Sequence, residues 1–317
     1  MSDPITRLNA ALEGRELVSS GSNPRYVPTG HLIYGHGDQA LMGVPFDLET
    51  LQTTGRPRTL LPDMAVSVNG GAVFGVSENG TLIYASSVAD ISGETDVGFV
   101  WVDLEGNETP LPLRTALPRI PRLSPDGGRI AYESDEHIWV YDLASGSPTQ
   151  LTFVGRNISP IWSPDGLLVC FLSERSGTEG LDGFRQAANG ATEAQQLWKS
   201  ARGEAALTSI SPDGTWLVVG ESTPGRGLNV ALVALGPDSV SFREYLSDSY
   251  DEYEGTISPD GRWMAYTSSE VVGSIEVFVR GFPEPVGQWR ISEGFSYDPV
   301  WAPDGSALYY VAPPDLM

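Results

Sequence analysis

The sequence has few cysteine, histidine or basic residues: one Cys, three His and 19 Lys and Arg stand against 41 Asp and Glu in 317 residues. The lone Cys170 cannot form an intramolecular disulfide, and its apolar surroundings, residues 167–172, predict a buried structural thiol. The net charge of −22 repels a phosphate backbone and an anionic lipid surface. Nucleic acid and membrane are therefore not expected as partners.

Long apolar runs are absent as well. No segment approaches the roughly 18 continuous apolar residues of a membrane-spanning helix, and residues 1–10 hold no apolar stretch of signal-peptide length. We therefore expect a cytoplasmic protein.

Local catalytic motifs are also missing. The sequence contains no His-Glu-x-x-His, no Walker loop, no Gly-x-Ser-x-Gly elbow and no paired cysteine ligands. The protein-kinase signatures, the His-Arg-Asp loop and Asp-Phe-Gly, do not occur either. Phosphoryl transfer by a kinase fold is thereby excluded, and zincin or serine-hydrolase chemistry has no local motif.

Glycine and proline are abundant, with 36 and 24 residues, a composition that suits many short strands joined by tight turns. One turn motif recurs seven times, and its final glycines lie 39 to 50 residues apart, the spacing of a unit of four short strands. The copies are Pro28-Thr-Gly30, Ser77-Glu-Asn-Gly80, Ser124-Pro-Asp-Gly127, Ser163-Pro-Asp-Gly166, Ser211-Pro-Asp-Gly214, Ser258-Pro-Asp-Gly261 and Ala302-Pro-Asp-Gly305.

The chemistry of the motif places it between two strands. Proline presets φ, aspartate accepts hydrogen bonds from nearby backbone amides, and glycine takes the positive φ that closes the turn. The repeat predicts an all-β fold, a seven-bladed β-propeller formed by residues 1–317 as a single domain. Residues 5–9 and 15–18 are predicted to complete the last blade, so that the two chain ends close the ring as two strands plus two. A six-bladed propeller is the alternative.

Several segments carry a family resemblance. They are Arg25–Tyr34, Val44–Leu48, Ile138–Leu143, Ser258–Tyr266 and Val277–Pro283. In these segments the chain resembles the TolB-like (WD40-like) propeller repeats with the Ser-Pro-Asp-Gly signature, particularly the propeller regions attached to bacterial serine/threonine kinases. The resemblance implies the fold over nearly the whole chain. It implies no single activity, because such repeats occur in binding scaffolds and in several unrelated hydrolytic or eliminative enzymes.

Polar side chains are expected around the propeller axis. Asn23, Asn157, Glu254 and Asp298 stand where the chain enters innermost strands. Oxygen ligands of this type suit a hard cation, so we predict that some of these four hold Ca²⁺ or another divalent cation. A hydrated channel lined by polar side chains is the alternative.

Two functions are consistent with these patterns. The first is a monomeric binding propeller of sensor or scaffold type, whose acidic loop face receives a small-molecule or protein ligand at the channel mouth. The alternative is a metal-assisted, Ca²⁺-type hydrolase of esters, lactones or phosphoesters at the central channel, with His36, Glu254 and Asp298 as the candidate catalytic residues.

Overall fold

The structure is a computed structural model in which every described strand pairs antiparallel with its neighbours. It describes residues 17–18, 21–27, 29–36, 40–62, 74–76, 82–86, 96–102, 108–111, 115–116, 119–175, 180–200, 205–223, 227–236, 241–247 and 249–312. No helix long and apolar enough to cross a bilayer is found in these ranges.

Six sheets contain four or five strands each and form the blades. Blade 1 consists of β1 (Gly21–Val27), β2 (His31–His36), β3 (Ala40–Asp47), β4 (Gln52–Thr53) and β5 (Arg58–Leu61). Blade 2 consists of β6 (Phe74–Val76), β7 (Leu82–Ser86), β8 (Asp96–Val102), β9 (Glu108–Pro110) and β10 (Thr115–Ala116). Blade 3 consists of β11 (Arg119–Leu123), β12 (Arg129–Ser134), β13 (His137–Asp142) and β14 (Ser147–Gln150).

The remaining sheets follow the same order along the chain. Blade 4 consists of β15 (Arg156–Trp162), β16 (Leu168–Glu174), β17 (Asp182–Ala187) and β18 (Gln195–Trp198). Blade 5 consists of β19 (Ala205–Ile210), β20 (Trp216–Thr223), β21 (Gly227–Ala234) and β22 (Phe242–Leu246). Blade 6 consists of β23 (Glu252–Ile257), β24 (Trp263–Ser268), β25 (Glu276–Gly281) and β26 (Trp289–Arg290). Among the described residues, the last sheet has β27 (Tyr297–Trp301) and β28 (Leu308–Val311) alone.

The last sheet corrects the predicted number of blades. The described residues form six complete blades, as in the alternative, and not seven, because each turn motif marks only the hairpin of a first and a second strand. The seventh motif makes such a hairpin, β27–β28, which contacts blade 6 on one side and β1 on the other. Of the closing strands predicted at 5–9 and 15–18, only Leu17 and Val18 lie among the described residues, and neither is in a strand.

The repeated turns owe their shape to one hydrogen-bond network. The Ser163 hydroxyl donates to Asp165 Oδ1 at 2.6 Å and accepts from the Leu168 N–H at 2.9 Å. Asp165 Oδ1 also accepts from the Leu167 N–H at 2.9 Å. Gly166 closes the turn with a φ of +68°, which glycine adopts without strain. The turns that begin at Ser124, Ser211 and Ser258 repeat the serine and aspartate bonds.

Apolar clusters fill the spaces between neighbouring blades. Val218 and Val230 of blade 5 pack with Ile257 and Met264 of blade 6, and comparable clusters join the other blades. Cys170 lies in such a cluster with no exposed surface, which confirms that it is buried. Burial raises the pKa of its thiol to about 12, so the sulfur stays protonated.

Candidate functional site

The first strand of each blade faces the propeller axis, because each first strand contacts the first strand of a neighbouring sheet. In most of these strands the pairing register shifts by one or more residues near the middle. The shifts coincide with positive φ values at Ile120, Ser159, Glu254 and Asp298, each four residues before the first residue of its turn motif. A bulge of this kind re-aims a side chain, so this position recurs as a ring around the channel.

Four charged side chains belong to this channel wall: Arg25, Arg122, Glu254 and Asp298. Arg122 and Glu254 have accessible surface, yet burial by surrounding protein shifts the pKa of each. A side chain inside a narrow channel is expected to keep accessible surface and still to be surrounded by enough protein for its pKa to shift. We call this group the axial cluster.

Glu254 and Asp298 form the acidic part of the axial cluster. The Asp298 N–H donates to Glu254 Oε2 at 3.2 Å, and the two carboxyl groups also interact through their side chains. Burial and the Asp298 carboxylate raise the pKa of Glu254 to about 7. Two adjacent carboxyl groups share one proton more readily than they bear two charges, so this pair holds a proton near neutral pH.

Arg25 and Arg122 form the basic part. Both lie five residues before the final glycine of their turn motif, in blades 1 and 3. Burial, and then repulsion from Arg122, lower the pKa of Arg25 to about 10, while Asp298 acts in the opposite direction. In blade 2 the same position is Gly75, whose added Cβ would lie 3.1 Å from the Pro121 carbonyl oxygen. Because glycine has no side chain, blade 2 contributes none at this position of the repeat.

The predicted site residues are only partly brought together. Asn157 is buried within blade 4, where its amide donates to the Gly155 carbonyl oxygen at 2.8 Å and accepts from the Ser173 hydroxyl at 2.8 Å. Its oxygen also accepts from Arg175, so this side chain stabilises the entrance of β15. His36 ends β2, one strand outward from the channel, paired with Gly21 and Ala40. The side chain of Asn23 lies outside the described residues.

Metal binding by these residues stays a prediction. Among the side chains that the structure describes, no group of three or more His, Cys, Asp and Glu has an arrangement that could hold an ion. Of the four predicted ligands, Glu254 and Asp298 are the two that lie together.

Arg122 was not identified from the sequence as a site residue. The available signal is its position in the repeat, which matches that of Arg25, because both lie five residues before the final glycine of a turn motif. Basic residues on a β-strand are common on solvent faces. Only the comparison of the repeats with one another predicts that Arg122 lies at the axis.

The channel opens on a face formed by the loops that join second strands to third strands and each blade to the next. We call this side the loop face. It carries exposed carboxylates at Asp135, Glu136, Glu174 and Glu293. Five of the large apolar side chains that are exposed also lie on it, namely Phe153, Val154, Tyr250, Val272 and Phe295. Exposed apolar groups on a face that also carries charge are typical of a protein-binding surface.

Comparisons with known proteins agree with this architecture. The family model of the TolB beta propeller domain matches residues 114–280, just over half of the chain. An uncharacterised peptidase of Bacillus subtilis, YuxL, is 27% identical over 191 residues, which cover 47% of this chain and 29% of that protein. The chain therefore spans less than a third of this curated relative.

Solved structures share the fold at low identity. A putative TolB from Agrobacterium tumefaciens superposes with a TM-score of 0.57 at 19% identity, over 84% of this chain and 96% of that one. A prolyl endopeptidase superposes with a TM-score of 0.64 at 16% identity, over 97% of this chain and 48% of that one.

Proposed function

The chain belongs to the TolB β-propeller domain family, and from that premise we propose that it is a binding propeller whose loop face captures a basic segment of a partner protein. The observation that carries this proposal is that exposed apolar side chains and carboxylates share this one face. Phe153 is 70% exposed and Phe295 is 51% exposed, and the acidic residues Glu136 and Glu293 lie on the same set of loops.

The chemistry of the face defines the partner. Aromatic side chains at the centre of an interface supply most of the binding energy once they are desolvated. Carboxylates around them attract cations over a Debye length and repel acidic proteins, which favours fast association with a basic segment. A net charge of −22 extends that preference to the whole molecule. The expected ligand is therefore a Lys- or Arg-rich segment with one or more large apolar side chains.

A random peptide library displayed on phage tests the proposal. Selected peptides should be enriched in Lys, Arg and large apolar residues, and their affinity should fall as the salt concentration rises. Phe153→Ser combined with Phe295→Ser should weaken their binding about tenfold or more. Leu167→Ser is the matched control, because Leu167 is 64% exposed on the opposite side, in the turn of blade 4. Peptides without basic residues, or equal binding by both variants, would contradict the proposal.

A second candidate function is hydrolysis at the channel, and the carboxyl pair favours it. A Glu254 pKa of about 7 is suited to general acid and base catalysis at neutral pH. The test is a panel of ester, lactone and phosphoester substrates, with and without added Ca²⁺. Turnover that disappears in Glu254→Gln supports this function, and turnover that depends on Ca²⁺ supports its metal-assisted form. Absence of turnover on the whole panel contradicts it.

A further inference from the structure

A cavity of about 250 Å³ lies beside the first strands of blades 2, 3 and 4, at the turn end of the channel. Its wall is mostly apolar, with Val76, Leu123, Ile161 and Trp162, and it includes the single charged residue Arg122. This end of the channel is opposite the loop face. The cavity is therefore separate from the surface proposed above for a protein partner.

Trp162 is fixed beside Arg122 by a direct contact. Its indole N–H donates to the Arg122 carbonyl oxygen at 2.8 Å, and the Arg129 guanidinium lies 5.0 Å from the ring centroid. The indole is 7% exposed. A wall held in this way is preorganised, because little side-chain freedom remains to be lost when a ligand binds.

Within the described part of the chain, the Arg122 guanidinium has no hydrogen-bond acceptor. It makes no hydrogen bond or ion pair with another residue in the described ranges, although five N–H groups are available to donate. Glu133 attracts it electrostatically, but a Glu133 carboxylate oxygen already accepts the Ser159 N–H at 2.6 Å. Because the Arg122 side chain keeps exposed surface, its N–H groups are open to the acceptor oxygens of an anionic ligand.

Arg25 adds a second cation to the same part of the channel. It is close enough to Arg122 for repulsion to lower its pKa, and its Nη1 donates a hydrogen bond to the Pro24 carbonyl oxygen at 2.9 Å. At the same repeat position of blade 2, Gly75 packs closely against the backbone of Pro121 in blade 3 and adds no charge. Two guanidinium groups held close together repel each other, so the pair favours the binding of an anion.

We propose that this cavity binds a small organic anion, whose carboxylate or phosphate group pairs with Arg122 and whose apolar body packs against Val76, Ile161 and Trp162. The planar guanidinium offers two parallel N–H groups to two oxygens of such an anion. Arg25 strengthens the positive potential without contacting the apolar body. The ligand class follows from the combination of an exposed cation with an apolar wall.

Isothermal titration calorimetry tests the proposal with benzoate and phenyl phosphate as probes and benzamide as the neutral analogue. The wild-type protein should bind at least one of the two anions saturably and benzamide much more weakly. Arg122→Gln should weaken that binding about 10- to 100-fold, the loss expected for a charge-assisted hydrogen-bonded pair. Arg156→Gln is the control, because Arg156 is exposed on the loop side and lies 4.0 Å from Glu174.

A second variant keeps the test independent of the charge. Val76→Phe fills the cavity while both arginines remain, so it should also abolish binding; thermal unfolding verifies that each variant is folded. Three results would overturn the proposal: no saturable binding of either anion, equal affinity for benzamide, or unchanged anion binding in both Arg122→Gln and Val76→Phe. None of these results bears on the basic partner proposed for the loop face, which is tested on the other side of the propeller.

Discussion

The backbone N–H of Asp298 donates to the side chain of Glu254 across the boundary between blade 6 and the two-stranded last sheet. Both residues have a positive φ, 55° for Glu254 and 53° for Asp298. Such a conformation is unfavourable for a residue with a side chain, so the surrounding sheets must enforce it. The bulges in β23 and β27 thus bring the two carboxyl groups together and leave them facing the channel and one another.

Replacing Glu254 should change how stability depends on pH. Its pKa is about 7 in the folded chain and about 4.3 when unfolded, so the folded state binds the proton more tightly. The contribution of the protonated form is complete below the unfolded pKa and is lost as the pH rises through 7. Glu254→Gln should therefore be the more stable protein at pH 8, by about 1 kcal/mol after screening by channel water.

The measurement is the thermal unfolding midpoint of both proteins from pH 4 to pH 8. Glu293→Gln serves as the control, because Glu293 is an exposed carboxylate on the loop face. Its profile should follow that of the wild type. If the unfolding midpoints of Glu254→Gln and wild type depended on pH in the same way, the pKa of Glu254 would not be raised in the folded protein.

A glycine in blade 4 should be very sensitive to substitution. A Cβ added to Gly183 would lie 1.6 Å from the Trp198 ring, and that ring is 5% exposed. Trp198 would have to leave its packed position, so Gly183→Ala should destabilise the protein by about 3 kcal/mol. Gly220→Ala is the matched control in a neighbouring blade, since its nearest contact would be 4.0 Å away. Urea unfolding compares the two, and equal losses would refute the packing argument.

Much of the fold follows from the turn motif. Its serine, aspartate and glycine act locally, so the position of each hairpin can be predicted from residues such as Ser163 and Gly166 without knowledge of the rest of the chain. The number of complete blades cannot be obtained in this way. It depends on whether third and fourth strands pair with each hairpin, and β27–β28 has none among the described residues.

The axial cluster was predictable only in part. Their position at strand entry predicts Glu254 and Asp298 as site residues, and the structure brings them together. Position at strand entry also predicts Asn157 as a site residue. Asn157 precedes its turn motif by six residues, however, whereas Glu254 and Asp298 precede theirs by four. Those two extra residues place Asn157 inside the blade, where backbone carbonyl groups take up its amide. Bulge geometry therefore decides which residue faces the channel.

The turn aspartates should make the protein sensitive to acid. A hydrogen bond from the motif serine, and then bonds from backbone N–H groups, lower the pKa of Asp126 and Asp165. A lowered folded-state pKa gives stability that is present above the unfolded value, about 3.9, and is lost as the pH falls through the folded value. The unfolding midpoint should drop between about pH 4 and pH 2. Asp165→Asn should reduce the steepness of that drop, and an unchanged slope would contradict the assignment.

The last turn motif offers the opposite test, a gain of stability. Ser258 accepts the Trp263 N–H at 3.0 Å, so Ser258→Ala should cost about 1 kcal/mol. Ala302 occupies the same position in the seventh motif with no exposed surface, and it cannot accept the N–H of Ala307. Ala302→Ser should restore that bond and stabilise the protein by about 0.5–1 kcal/mol, because the four equivalent serines fit equally buried positions. Urea unfolding at neutral pH measures both changes, and destabilisation by Ala302→Ser would show that the last turn differs in its packing from the others.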